Sequence, residues 1–346
     1  MRTDAAAGWP RLGVGIIGCG AVTQAIHLPT LTGLGDTFKV RRVVDTDADV
    51  ARIVGERAGA RYGTRVEDLW EDSDVDVVAV CSPDSLHAAQ VIAACESAKR
   101  AVLCEKPLCV SLAEARLVGE ISSKTGVPVV TGTMHVFDPA FAAAATAWGT
   151  EPAALVRSVC LLPPNERFIA LATELAPSAP RPSEPGASVP SPLRKAVLGL
   201  ASHHLPLVRR FMPELHEVVS ARTLAPWGYE ITLQGRTTLT QMIGVLPISP
   251  SPHWTFEATS TRRSLLVEFP PSFVQAGSAR ATMHGEPSSM WHYASNGYVA
   301  EWDLLARVAR EGDGGRHVQN AVVDFEWADR IVAAVASSLA QEGGVK

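Results

Sequence analysis

The stretch "GVGIIGCGAVTQAIHLP", Gly13 to Pro29, decides how the chain folds. It opens as an apolar, β-branched run, turns at Gly18-Cys19-Gly20, and continues with the spacing of a helix. Strand, glycine turn and helix in that order aim backbone N–H groups and the positive end of a helix at one spot. Two frames of G-x-G-x-x-G overlap here. Gly13, Gly15 and Gly18 match it literally, but they fall inside the strand, where no turn forms. The working frame begins at Gly18. That residue permits the tight turn through Cys19, Gly20 lets a pyrophosphate approach the backbone, and Ala21 and Val22 open the helix. The third place of this frame is Thr23, where Gly or Ala usually packs a helix close to its strand, so the match is imperfect.

Outward from this stretch, residues 12–132 alternate between short apolar runs and helical spacing. The runs at 12–17, 38–45, 75–81, 101–104 and 127–131 read as strands; 47–59, 85–98 and 111–125 read as helices. Ser111 with Glu114 has the spacing of a capping box. Apolar strands without alternation, separated by helices, predict a parallel sheet covered on both faces. The stretch 163–192 holds eight prolines and is expected to be a loop without regular structure. Beyond residue 215 the pattern changes. Strand-like pieces at 215–222, 228–234, 237–246, 253–260, 264–269 and 279–285 follow one another without long helices, which predicts a mostly antiparallel sheet with one packed face. The tail, 299–311 and 319–341, returns to helical spacing.

Two further residues carry chemistry. The second strand ends in Asp45, where a carboxylate accepts from an adenosine ribose 2′-OH and repels a 2′-phosphate; this favours NAD over NADP, which is not excluded. The competing reading of Asp45-Thr46-Asp47 is a helix N-cap. Lys106, in "CEKPLC", follows an apolar strand at its carboxyl end, the edge that faces the ligand crevice in open α/β sheets. Pro107 biases it toward extended backbone. A lysine held there can donate to a hydroxyl or carbonyl and, if desolvated, exchange protons. On local sequence alone it reads equally as an exposed partner of Glu105.

Composition narrows the classes. The 346 residues are enough for two domains, and a net charge of −5 gives no basic surface for nucleic acid or anionic membrane. No apolar run spans a bilayer, and the N-terminus lacks a signal-peptide core, so a cytoplasmic location is expected. Six cysteines lie in the first half without a C-x-x-C pair. They read as small buried hydrophobes, with no metal site expected.

The segments "GIIGCGAVTQAIHLPTL", "VDVVAVCSPDSLH" and "AVLCEKPLCVSLAEA" together resemble the Gfo/Idh/MocA oxidoreductases, the family of glucose-fructose oxidoreductase and inositol dehydrogenase. The likeness is strong over residues 11–141 and looser beyond, where it rests on "YVAEWDLLARVAREG" and the sheet-rich middle. It implies an α/β protein: a Rossmann domain, 1–133, with a doubly wound parallel sheet, then a substrate and oligomerisation domain, 134–346, with a large open, mostly antiparallel sheet. The C-terminal helices are free to pack back on the first domain. It also implies a bound dinucleotide, a small-molecule substrate, a homodimer or homotetramer, and Lys106 beside substrate and nicotinamide. By position Ser82, Pro83 and His87 match the loop beside the cofactor, and Glu105 and Lys106 the strand-end pair. His87 reads equally as a surface residue.

In many family members a segment runs Asp, three residues, His, two residues, Asp, and its first Asp and its His face the substrate. Here "GLASHHLPL" puts His203 in the histidine place, with Gly199 and Pro206 where the acids stand. Proton transfer is then left to Lys106 and His203, with His204 and His135 as further candidate substrate contacts. The aromatic clusters at 252–256 and 290–293 read as core or subunit interface. The expected activity is NAD(P)-dependent hydride transfer on a sugar, cyclitol or related polyol or ketone. A reductase of imines or less polar ketones, a redox-neutral hydrolase using transient NAD-dependent oxidation, and a non-catalytic dinucleotide-binding protein are the alternatives.

Overall fold

Six short strands build the first sheet in the computed structural model, which describes residues 9–176, 192–247, 251–274, 276–286 and 288–342. They are β1 (Leu12–Ile17), β2 (Phe38–Val44), β3 (Arg61–Gly63), β4 (Val77–Val80), β5 (Ala101–Glu105) and β6 (Val129–Gly132). All neighbours run parallel, in the order β3-β2-β1-β4-β5-β6. The direction of winding reverses between β1 and β4, and ligands of such sheets bind outside the carboxyl ends at that reversal. Val14, Ile16, Val43, Val78, Ala79, Val102 and Leu103 are buried, as unalternating apolar strands between two helical layers must be.

The helices begin and end where short-range chemistry dictates. Asp47 caps helix Ala48–Ala58 by accepting from the N–H groups of Asp49 and Val50, and Gly59 closes it at φ 59°. Ser111 and Glu114 form the expected capping box on helix Leu112–Thr125. The exposed strand β3, Arg-Tyr-Gly, has no apolar run and no signature in the sequence.

The chain divides into two compact units. The first comprises residues 1–132, 172–183 and 301–319; the second comprises 133–171, 184–300 and 320–346. The second unit is built on an eight-stranded sheet, ordered β14-β13-β12-β11-β7-β10-β9-β8. Its strands are β7 (Leu155–Leu161), β8 (Glu217–Thr223), β9 (Trp227–Gln234), β10 (Leu239–Leu246), β11 (His253–Thr259), β12 (Ser264–Glu268), β13 (Arg280–His284) and β14 (Ser289–Trp291). Only β7 and β10 pair in parallel among the described residues; the other pairs are antiparallel. One face is packed. Register puts Tyr229, Gly244, Cys160 and Trp254 side by side across four strands, and the three side chains are buried. The other face carries Gln241, Arg157 and Glu257, three positions along the strands, and stays partly open.

One expectation is corrected. The segment 163–192 is not devoid of regular structure: helix Glu166–Ala172 lies within it, and helix Pro192–Ala196 starts at its last residue. The prolines cluster at 163–164 and from 177 onward, leaving 165–176 free of them. Helix formation needs only such a gap. Residues 177–191 lie outside the described residues. No helix among the described residues is long and apolar enough to cross a membrane.

Gly13 shows how closely β1 is packed. A Cβ there would sit 1.7 Å from the Asp74 carbonyl oxygen. We expect Gly13→Ala to destabilise the first unit by about 3 kcal/mol or more, read as a lowered midpoint in urea unfolding; an unchanged midpoint would contradict this packing.

Candidate functional site

The carboxyl ends of β1, β2, β4 and β5 bring Gly18, Asp45, Ser82 and Glu105–Lys106 to one edge of the first sheet. At the centre is the glycine turn. Gly18 has φ 88°, and a Cβ on it would lie 2.5 Å from the Cys81 carbonyl oxygen, so only glycine fits. Its N–H donates to the Val44 carbonyl. Thr23, the imperfect third position of the motif, donates its hydroxyl to the Gly18 carbonyl at 2.6 Å. A small residue there would pack as well, but threonine also braces the turn. A Cβ on Gly20 would meet nothing within 4 Å, so the backbone lies open on that side. Helix begins at Ala21 and Val22. An open glycine followed by a helix N-terminus fits a pyrophosphate.

Asp45 is buried. One carboxylate oxygen accepts from the Cys19 N–H at 2.7 Å and the other from the Asp47 N–H at 3.0 Å. The N-cap role falls to Asp47. Asp45 therefore holds the turn in shape, and its remaining lone pairs are available to ribose hydroxyls. Burial, with the Asp45 charge adding to it, pushes the Cys19 thiol far up, so this cysteine stays protonated. All six cysteines are free thiols.

His87 is buried at 2% exposure rather than lying on the surface. Its Nδ1 is 2.7 Å from the Pro107 carbonyl and its Nε2 2.8 Å from the Ser82 carbonyl. The ring thus ties the Ser82–Pro83 loop to the Lys106–Pro107 turn. Ser82 donates to Gln90 Oε1, and Pro83 precedes helix Asp84–Glu96.

Glu105 accepts from the Lys106 backbone N–H at 3.2 Å, and its other oxygen is 3.1 Å from His27 Nε2. The indole N–H of Trp302 reaches His27 Nδ1 at 3.2 Å. An indole only donates, so Nδ1 accepts and the ring proton sits on Nε2, aimed at Glu105. Burial opposes a charge on His27, while Cys81 and Glu105 favour one and the net pull is upward. Trp302 stands at the only nitrogen left for that second proton. Burial raises Glu105, but the hydrogen bond from His27, with the charge and backbone N–H of Lys106, outweighs it and holds the carboxyl below its ordinary value. Lys106 is part-exposed. The sequence reading missed His27, Glu301 and Trp302. Their only signal was a polar group inside an apolar helical stripe, at "AIHLP" and "VAEWDLL".

The second unit holds the remaining candidates. His203 and His135 are largely buried, with ring centroids 5.2 Å apart. His135 lies 4.0 Å from the Trp254 ring and 4.7 Å from Phe269. His204 is fully buried between Tyr229 and Trp254, in the trough that Gly244 and Cys160 leave across the sheet. Its ring nitrogens have no hydrogen-bond partner among the described residues. Burial lowers its pKa to about 3.

These features define the class of fold: an α/β protein whose first unit carries a Rossmann-type parallel sheet. Residues 12–133 match the model of the Gfo/Idh/MocA family, described as an oxidoreductase family with an NAD-binding Rossmann fold. The match covers the first sheet and its helices and stops at residue 133 of 346. An inositol 2-dehydrogenase of Saccharopolyspora erythraea is 37% identical over 134 residues, 38% of this chain and 38% of that protein. A myo-inositol 2-dehydrogenase of Thermotoga maritima is 35% identical over 129 residues, 37% of this chain and 38% of that one. The chain thus spans 38% of the length of these curated relatives. Among solved structures, KijD10, a 3-ketoreductase from Actinomadura kijaniata in complex with NADP, superposes with a TM-score of 0.73 at 17% identity, over 94% of this chain and 97% of that one. An oxidoreductase domain protein from Kribbella flavida gives 0.75 at 18%, over 95% and 98%. At such identity the likeness is one of fold.

His204 makes stability pH-dependent. Its folded pKa is depressed, so its contribution is present above the unfolded value near 6.5 and is lost as pH falls toward 3. His204→Leu should flatten the fall of the melting temperature between pH 6.5 and pH 4; a slope equal to that of the parent would show that the ring already carries a proton.

Proposed function

We propose that this chain is an NAD(H)-dependent oxidoreductase acting on a CH–OH or C=O carbon of a sugar, cyclitol or related polyol or ketone. The observation that carries the reading is the placement of Lys106. It stands at the carboxyl end of β5, with its backbone N–H held by Glu105 and the following carbonyl held by His87, on the edge that carries the glycine turn. Gly18, Cys19, Gly20, Ala21 and Val22 would hold the pyrophosphate, and Asp45 the adenosine ribose. Its carboxylate disfavours a 2′-phosphate, which supports NAD over NADP. Ser82, Pro83 and His87 would shape the wall near the nicotinamide. The bound nicotinamide supplies or takes up hydride.

The chain's own part is to orient the substrate and move one proton. Lys106 donates to a carbonyl oxygen being reduced, or accepts from a hydroxyl being oxidised. Glu105 lies against the lysine's own backbone, and its negative charge favours the ammonium form. His203, on the second unit, is the further candidate for proton exchange and His135 for substrate contact; His204, fully buried against Tyr229 and Trp254, is a core residue instead. The family likeness to inositol dehydrogenases supports a polyhydroxylated substrate. A homodimer or homotetramer through the open face of the second sheet, and a cytoplasmic location, belong to the same reading.

Lys106→Met should lower kcat/KM by about 100-fold or more while NADH binding, followed by fluorescence, persists. Turnover within a few fold of the parent, measured across a panel of inositols and hexoses, would remove Lys106 from the proton-transfer role. Glu105→Gln takes a negative charge away from the lysine, so the lysine-dependent limb of the pH profile should move to lower pH, by about one unit. A limb that stays in place would show that Glu105 does not act on Lys106.

A further inference from the structure

Glu301 is a buried ionisable group that the proposed reaction does not use. It lies on helix Gly297–Glu311, next to Trp302, and is 0% exposed. Neither carboxyl oxygen has a hydrogen-bond partner among the described residues. Native buried polar atoms are almost always paired, so two orphans on one side chain call for an account. The groups that face Glu301 electrostatically are Glu105, on β5, and His27, on helical segment Thr23–His27. Cys81 interacts in turn with His27, and the buried Cys104 with Glu105. Lys106 is the nearby cation, and it acts on Glu105.

Two carboxyl groups in one enclosed site do not both ionise unless each is compensated. Glu105 is compensated. It takes the Nε2–H of His27 and the Lys106 N–H. Trp302 holds His27 in the tautomer that donates in that direction. Glu301 has none of these donors. An ionised Glu301 would be a fully buried charge without a hydrogen-bond donor among the described residues, with the charge of Glu105 acting on it, whereas a neutral acid avoids both penalties.

We propose that Glu301 is a buried carboxyl group that keeps its proton, leaving Glu105, part-exposed, as the single negative charge beside Lys106. The consequence rests on the reading of Lys106 as the proton-transfer group: with two anions nearby its ammonium form would be held too strongly for it to exchange protons. Burial and the charge of Glu105 push Glu301 well above the ordinary carboxyl range, in agreement with the geometry.

The test is infrared spectroscopy of the full-length protein at neutral pH, with Glu301→Gln as the difference partner. The expected result is that the parent shows the C=O stretch of a protonated carboxyl group that the variant lacks. Loss of carboxylate bands alone would overturn the proposal. The sign of the pH dependence gives a second measurement. A carboxyl with a raised folded pKa destabilises the native state progressively as pH rises above its unfolded value near 4.5. The melting temperature of Glu301→Gln should therefore gain on the parent by about 3 °C or more between pH 5 and pH 8. A gap that stays constant or narrows would overturn the assignment. If the variant does not fold, infrared titration of the parent alone decides: a carboxyl band persisting at pH 7 supports the proposal, and its absence overturns it. None of these readouts uses turnover, so they stand apart from the fate of Lys106.

Discussion

The close approach of the glycine turn to its neighbours is the constraint on which the candidate site depends. Gly18 sits in left-handed backbone with the Cys81 carbonyl so near that no side chain fits. Its N–H reaches Val44 across β2, the Cys19 N–H is taken by Asp45, and Thr23 returns to its carbonyl. Three strand ends are thereby fixed around one turn. The helix that leaves the turn inherits its direction from them, and His27, five residues beyond Val22, is delivered to Glu105 on a fourth strand. Geometry that suits a pyrophosphate and geometry that orders the Lys106 turn are thus parts of one connected backbone arrangement.

The same hydrogen bonds explain why small departures from the expected motif do not break it. Threonine in the third position replaces close packing by a hydroxyl brace. Asp45 spends part of its accepting capacity on the turn itself, so its burial has a structural cause. His87 spans two loops through their carbonyls. A residue singled out for contact with a cofactor thus has a structural task in holding the wall that the cofactor would meet.

Much of the first unit was legible because its strands are apolar on both faces and its helices carry local caps. The runs at 12–17, 38–45 and 101–104 coincide with strands to within a residue or so, and the Ser111 box is present. β3 was not legible: a strand of three residues, two of them exposed, pairs with β2 at the sheet edge. β7 escaped because "LVRSVCL" alternates in burial and lies between a helix and a proline pair, away from the strands it joins. Its parallel pairing with β10 is a long-range choice that no local pattern encodes. The His27–Glu105–Trp302 cluster was hidden for the same reason. Its members lie 78 and 275 positions from His27. A lone polar residue in an apolar stripe announces burial but not its partner.

The central claim is that the edge formed by Gly18, Asp45, Ser82 and Lys106 binds a nicotinamide dinucleotide with the lysine at its reactive end. A crystal structure with NADH bound tests this most directly. The account predicts pyrophosphate oxygens against Gly20 and the helix start, ribose hydroxyls on Asp45, and the Lys106 ammonium lining the space over nicotinamide C4, within about 3.5 Å of a substrate oxygen placed there. A dinucleotide lying elsewhere, or a Lys106 side chain turned into solvent away from the ring, would contradict it.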